Sequence, residues 1–330
     1  MLRLRCSLIR AICAAALAFA AASGAAWGQA QPTWPAKPVR IIVSTAAGGA
    51  SDIVARLLAE RLTVIWKQQV LVDNRPGGGG VIAAEGVARA APDGYTLGQL
   101  GSTLALNPAI RNDLAYDTAR DLRAIMHFGS APALLATRAD FPANTPAELF
   151  ALVKAQPGKY SYGSPGASTN GNRAMEALKH ALALDVVHIP YKSGALATND
   201  LLGGQISMLM ATPTAFTQHI KSGRLKAIAT TGAKRFPTMP SVPSFAESGV
   251  PAYDMVEWWL MIGPSHMPDV LVDRIQRDVA AVVSQSEFTR RLLDLGIETF
   301  VRTPDESARF LKDELARWEK SAKTLGLKPE

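Results

Sequence analysis

From Val39 onward the chain alternates short β-branched runs with stretches of helical periodicity, and no other feature limits its fold as much. Residues 39–43, Val-Arg-Ile-Ile-Val, read as a buried strand. A glycine-containing loop follows, then a helix over 51–66 whose Ile53, Val54, Leu57, Leu58, Leu62 and Ile65 share one face. Strands are expected at 70–72, 96–99, 133–137, 159–163, 186–189, 206–210 and 225–231, with helices at 81–90, 146–154, 172–184 and 195–202. Such alternation calls for parallel sheets covered by helices on both faces. Pro237, Pro240, Pro243 and Pro251 make 232–254 irregular. A strand at 258–262 and helices at 270–283, 287–295 and 304–325 close the chain.

The first 30 residues stand apart. Arg3, Arg5 and Arg10 precede an Ala-rich apolar run over 11–22, and small residues end in Gly28-Gln29-Ala30. That order is a secretory signal peptide with cleavage after Ala30; the run is short for a membrane anchor. Three of the 35 basic residues lie in this leader and none of the 28 acids, so its removal lowers the net charge from +7 to +4. No basic run remains, which argues against a nucleic-acid partner. Cys6 and Cys13 leave too, and the mature chain then has neither a disulfide nor a thiol nucleophile. At 48% hydrophobic and 19% charged residues the remainder is globular.

Two strand-to-helix loops carry the candidate chemistry. Ser44-Thr45-Ala46-Ala47-Gly48-Gly49-Ala50-Ser51-Asp52 offers flexible glycines and Ser51 as an N-cap. Backbone N–H groups and the positive end of a helix dipole meet there, so a carboxylate or phosphate can be held without Lys or Arg. An ordinary turn that contains glycine is the bland alternative. Tyr162-Gly163-Ser164-Pro165-Gly166-Ala167-Ser168-Thr169-Asn170-Gly171-Asn172 repeats the pattern in the other half of the chain. Together they suggest facing anion cradles at the ligand-binding edges of two sheets. Gly101-Ser102-Thr103 and Tyr191-Lys192-Ser193-Gly194 follow strands and can line the same cleft.

Enzyme signatures fail. Gly78-Gly79-Gly80-Val81-Ile82-Ala83 fits GxGxxA, but it follows the second strand and lacks the acid about 20 residues on. Asn170 stands where a nucleophile elbow needs its last glycine. His127, His180, His188, His219 and His266 show no metal-ligand spacing, so no metal and no cofactor are expected. Arg75 is a rim cation or, more simply, an ion-paired one, and Trp258-Trp259 read as core.

With these loops located, the chain resembles the Bug family of periplasmic solute-binding proteins, the TctC-like receptors of tripartite tricarboxylate transporters. The resemblance rests on Trp34-Pro35-Ala36-Lys37-Pro38, Gly48-Gly49-Ala50-Ser51-Asp52, Val72-Asp73-Asn74-Arg75-Pro76-Gly77 and Ala90-Ala91-Pro92-Asp93-Gly94-Tyr95-Thr96-Leu97. Asn107-Pro108, Pro190-Tyr191-Lys192, Asp200-Leu201-Leu202-Gly203-Gly204-Gln205 and Thr231-Gly232-Ala233-Lys234-Arg235 follow in order.

The resemblance implies an α/β, two-lobed periplasmic-binding-protein fold of the venus-flytrap type (type II), each lobe a mostly parallel sheet flanked by helices. Lobe one would take 31–130 plus 256–330 and lobe two 131–255. It carries Thr45, Gly48, Gly49, Ala50, Ser51 and Asp52, with Ser164, Gly166, Ser168, Thr169 and Asn172, into a carboxylate site. Ser102, Thr103, Tyr191 and Thr212 complete the expected ligand-binding set. The family's first loop is usually Pro-rich with an aromatic residue, where this chain has Ser44, Thr45, Ala46 and Ala47. Asn172 replaces a His, Thr212 lies where an Asp or Asn is common, and Ser207 and Met210 replace an Asp and a Phe. These departures point to a carboxylate with a bulkier or less basic remainder. The expected protein is a periplasmic, monomeric, non-enzymatic receptor that passes a small organic carboxylate to membrane permease subunits. The alternatives are a Ser-dependent hydrolase or lyase using Ser164 or Ser168, with His188 near in space, and a ligand sensor for a signalling partner.

Overall fold

A computed structural model describes residues 34–167, 169–250 and 253–324. The leader and its cleavage site lie outside the described residues, as does Ser168. The chain divides into a unit through Ala36 and a body from Lys37 onward, to which every strand and helix that follows belongs.

The body starts with β1 (Val39–Val43), α1 (Ala50–Trp66), β2 (Val70–Asn74), a 3-10 turn at Gly78–Gly80, α2 (Val81–Ala88), β3 (Thr96–Leu100) and α3 (Thr103–Ile110). Val54, Leu58, Leu62 and Trp66 of α1 recur at helical spacing and are buried. Each such apolar side chain contributes roughly 1.5–3 kcal/mol. The inward face is narrower than the pattern suggests, because Ile65 is exposed and Ile53 borders a cavity. α3 contains Pro108, which cannot donate to the Leu104 carbonyl. The Thr118 hydroxyl, on α4 (Thr118–Asp121), donates to that carbonyl instead at 3.2 Å, so the helix survives a residue that reads as a breaker.

The chain then runs through β4 (Leu122–Pro132) into β5 (Leu134–Arg138), α5 (Pro146–Ala155), β6 (Ser161–Ser164), α6 (Asn170–Leu182), β7 (Val187–Pro190), α7 (Gly194–Leu202) and β8 (Met208–Ala211). A 3-10 turn at Pro213–Ala215, α8 (Thr217–Lys221) and β9 (Leu225–Thr230) lead to the irregular segment, and β10 (Val256–Pro264) returns. α9 (Asp269–Val283), α10 (Ser286–Asp294), β11 (Glu298–Thr299) and α11 (Pro304–Thr324) end the described chain.

The strands form two sheets, β11-β4-β10-β3-β1-β2 and β7-β6-β8-β5-β9. The two-lobed α/β architecture holds, but the sheets are mixed rather than mostly parallel. β2, β1 and β3 are parallel, as are β7, β6 and β8. β10, β4 and β11 pair antiparallel, as β5 does with β8 and β9. Helical crossovers dictate the parallel halves. The antiparallel halves arise because β4 leaves the first sheet and β10 re-enters beside it. Thr231 ties the two passages together. Its hydroxyl accepts from Ala133 N at 2.8 Å and donates to the Met255 carbonyl at 2.6 Å.

Candidate functional site

A cavity of about 460 Å³ opens where the starts of α1, α3, α6 and α7 converge. The N-cap of α1 is Gly49, in extended geometry (φ −74°, ψ 163°), and no side chain caps the helix. The Ser51 hydroxyl, expected to be that cap, instead accepts from Trp259 Nε1 at 3.0 Å. Gly49, Ala50 and Ser51 border the cavity; Gly49 N–H donates to the Ala46 carbonyl at 3.0 Å, while no side chain caps the Ala50 and Ser51 N–H groups.

Asp52 holds this loop from behind. Its carboxylate accepts from Gly48 N at 2.9 Å, Arg56 Nε at 3.0 Å and Asn74 Nδ2 at 2.9 Å. Asn74 Nδ2 also donates to the Thr45 carbonyl at 2.9 Å. Burial alone would raise the Asp52 pKa; the hydrogen bonds from Arg56, Gly48 and Asn74 outweigh it and lower it below the ordinary value. Gly48 takes φ +79°, a left-handed turn that suits glycine.

The second loop is built differently. The Thr169 hydroxyl accepts from Asn172 N at 3.4 Å and donates to the Gly166 carbonyl at 2.8 Å, so α6 caps itself. Gly166, Thr169, Asn170 and Gly171 border the cavity, whereas Ser164 and Asn172 lie behind it in a buried network. Asn172 Nδ2 donates to the Tyr162 hydroxyl at 2.8 Å, and Tyr162 donates to Glu176. Burial and the adjacent Glu176 raise the Tyr162 pKa.

Of the remaining expected residues, Thr103 and Thr212 border the cavity, with Thr212 Oγ1 2.9 Å from Thr214 Oγ1. Ser102 and Tyr191 are turned to other partners. The Ser102 hydroxyl donates to Glu257 Oε2 at 2.7 Å and Tyr191 donates to Asp200 at 2.7 Å. Arg75 pairs with Asp73 at 3.0 Å, away from the cavity. Lys192 and Glu257 are the ionisable residues among the described lining. Glu257 drew no attention in the sequence, because Ser102, which binds it, lies 155 positions away. An acid inside the apolar strand around Trp258-Trp259 was the available signal.

Ser164 Oγ does lie 2.8 Å from His188 Nε2, the proximity a hydrolase would need. The serine is buried, however, outside the cavity lining, and the Gly166 carbonyl at 3.0 Å offers its one proton a second acceptor. Nucleophilic attack needs the hydroxyl exposed and its proton directed at the base. Among the described residues, no group of His, Cys, Asp and Glu could hold a metal ion. No helix there is long and apolar enough to cross a membrane.

Two mixed sheets with helix starts meeting at one cleft make a concave site for a small ligand. The sequence profile of the tripartite tricarboxylate transporter family receptor, TctC, matches residues 54–327, and the chain belongs to that family. The periplasmic binding protein BugD is 32% identical, with a TM-score of 0.84 over 90% of this chain and 100% of that one. Rpa4515 of R. palustris, solved with adipate, is 30% identical with a TM-score of 0.83 over 90% of this chain and 100% of that one. MatC of Rhodopseudomonas palustris, solved with bound malate, is 28% identical with a TM-score of 0.79 over 87% of this chain and 99% of that one. The chain is a solute-binding protein and not an enzyme.

Proposed function

We propose that this protein captures a small organic carboxylate in the cavity and delivers it to the permease of a tripartite tricarboxylate-type transporter. The observation that carries the reading is the start of α1, whose N–H groups no side chain caps and which borders the cavity. Such a terminus binds an anion through its free donors and its dipole. Adipate and malate, held by the two Rhodopseudomonas proteins, are both carboxylates.

In this reading Thr45, Gly48, Gly49, Ala50, Ser51, Thr103, Gly166, Thr169 and Thr212 face the ligand. Asp52, Ser102, Ser164, Asn172 and Tyr191 act through the residues they position. The lobes are 31–130 plus 256–330 and 131–255, and they close on the ligand as a monomer, the passages near Thr231 flexing. Residues 1–30 direct export to the periplasm and are removed near Ala30.

A thermal-shift screen with mono- and dicarboxylates, adipate and malate included, tests the reading. A concentration-dependent rise in Tm with no product formed is the expected result. No rise with any carboxylate, or turnover of one, contradicts it.

A further inference from the structure

Glu257 is out of keeping with a pocket built for anions. It lies at the start of β10, half-buried, in the cavity wall next to the α3 start. Its carboxylate accepts from Ser102 N at 3.0 Å and from the Ser102 hydroxyl at 2.7 Å. No Lys, Arg or His among the described residues pairs with it, and Lys192, the one cation in the described lining, enters from the other sheet's α7 loop. The site is shaped around this acid: a Cβ on Gly101 would fall 1.9 Å from Glu257 Oε1, so only glycine leaves room for it.

A carboxylate offers about four acceptor positions, and Ser102 fills two. The free positions belong to a group with an edge on the cavity. Were Glu257 only a cap for α3, it would place an unpaired charge against the bound anion, at a Coulombic cost in a low-dielectric cleft. A ligand that brings a donor converts that cost into a charge-assisted hydrogen bond.

We propose that Glu257 selects, among carboxylates, those that also carry a hydrogen-bond donor, an ammonium or a hydroxyl, placed to reach its carboxylate. This inference rests on the carboxylate-receptor reading and narrows its ligand class; where the donor is an ammonium, it departs from the less basic remainder that the loop sequences suggest. The carboxylate of the guest sits at the α1 start and the donor turns to β10. A plain dicarboxylate lacks that donor and can place a second anion near Glu257. Burial raises the Glu257 pKa to about 7 against the two Ser102 hydrogen bonds, so a ligand donor, an ammonium above all, also has to draw Glu257 into its ionised form.

The test is calorimetric titration of the intact protein with matched sets: succinate, malate and aspartate; adipate and 2-aminoadipate. In the wild type the donor-bearing member of a set should bind about tenfold tighter than its unsubstituted parent. In Glu257→Gln, which keeps an acceptor for Ser102 N, the advantage of the ammonium should fall to about threefold or less. Malate against aspartate separates the hydroxyl from the ammonium. If the unsubstituted acids bind as tightly as their substituted partners, or Glu257→Gln leaves the ratio unchanged, the inference is overturned while the receptor reading stands. If none of these acids or any other carboxylate binds, both fall. The wild-type ratios decide the matter even if the variant does not fold.

Discussion

The two helix starts that face each other across the cavity look alike in sequence and differ in what they do with their donors. At α6 the Thr169 hydroxyl accepts from Asn172 N and anchors to the Gly166 carbonyl, so part of the terminus is satisfied within the loop. At α1 the equivalent position is Gly49, which has no side chain to cap with, and the hydroxyl of Ser51 inside the first turn is engaged by the Trp259 indole. The lesson is that an anion site is defined by the donors a fold leaves free, more than by the glycines and hydroxyls near them. Carboxylate affinity should therefore reside chiefly on the α1 side, and stability on the α6 side.

The largest effect should come from giving α1 the cap it lacks. Gly49→Asp places a carboxylate over the first-turn N–H groups; its Cβ would lie 2.9 Å from Thr45 Cβ and 3.1 Å from the Ala46 carbonyl, so the loop has to shift to admit it. Affinity for any carboxylate ligand should fall about 100-fold by calorimetry, with the Tm showing that the variant stays folded. Unchanged affinity would locate the anion elsewhere.

Next in size is Asp52→Ala, which removes the acceptor shared by Gly48 N, Arg56 and Asn74. A loss of about 2 kcal/mol in urea unfolding, with weaker ligand binding, is expected. An intact affinity would show that the loop keeps its shape without this anchor.

Thr169→Ala sharpens the comparison from the other side. Loss of the α6 cap should cost about 1 kcal/mol of stability and change affinity by less than about threefold. A loss of affinity as large as that of Gly49→Asp would make the two starts equal and remove the asymmetry.

The remaining test concerns pH. The Glu257 pKa is raised in the folded state to about 7 from the ordinary 4.5. The folded state then holds a proton that the unfolded chain has lost, so this group lowers stability as pH rises between those values and adds no further change above. His127 works in the opposite direction. Burial, then Arg302, lowers its pKa to about 3 from 6.5, so stability falls as pH drops below 6.5. Ligand-free wild type compared with Glu257→Gln isolates the first effect. Their stability difference should shift in favour of the variant from pH 4.5 to 7; a pH-independent difference contradicts the raised pKa.

Much of the fold could be read from the chain because its signals are local. β1 is a β-branched run and α1 a helical stripe, and both appear where expected. β4 was not foreseen: Ala124, Met126, Phe128 and Gly129 give neither alternation nor a β-branched cluster, since the strand is buried on both faces. α3 was hidden by Pro108, whose lost hydrogen bond is replaced through Thr118. At the site, the first loop was recognisable from Gly48 and Gly49. What Ser51, Ser102 and Asn172 do could not be seen, because their partners Trp259, Glu257 and Tyr162 reach them through tertiary packing.

A crystal structure of the protein with whichever carboxylate raises Tm most tests the central claim directly. The α1 reading predicts carboxylate oxygens within about 3 Å of the Ala50 or Ser51 amide nitrogens. A carboxylate seated on Lys192 or on the α6 start alone, with the α1 amides facing only water, would contradict it.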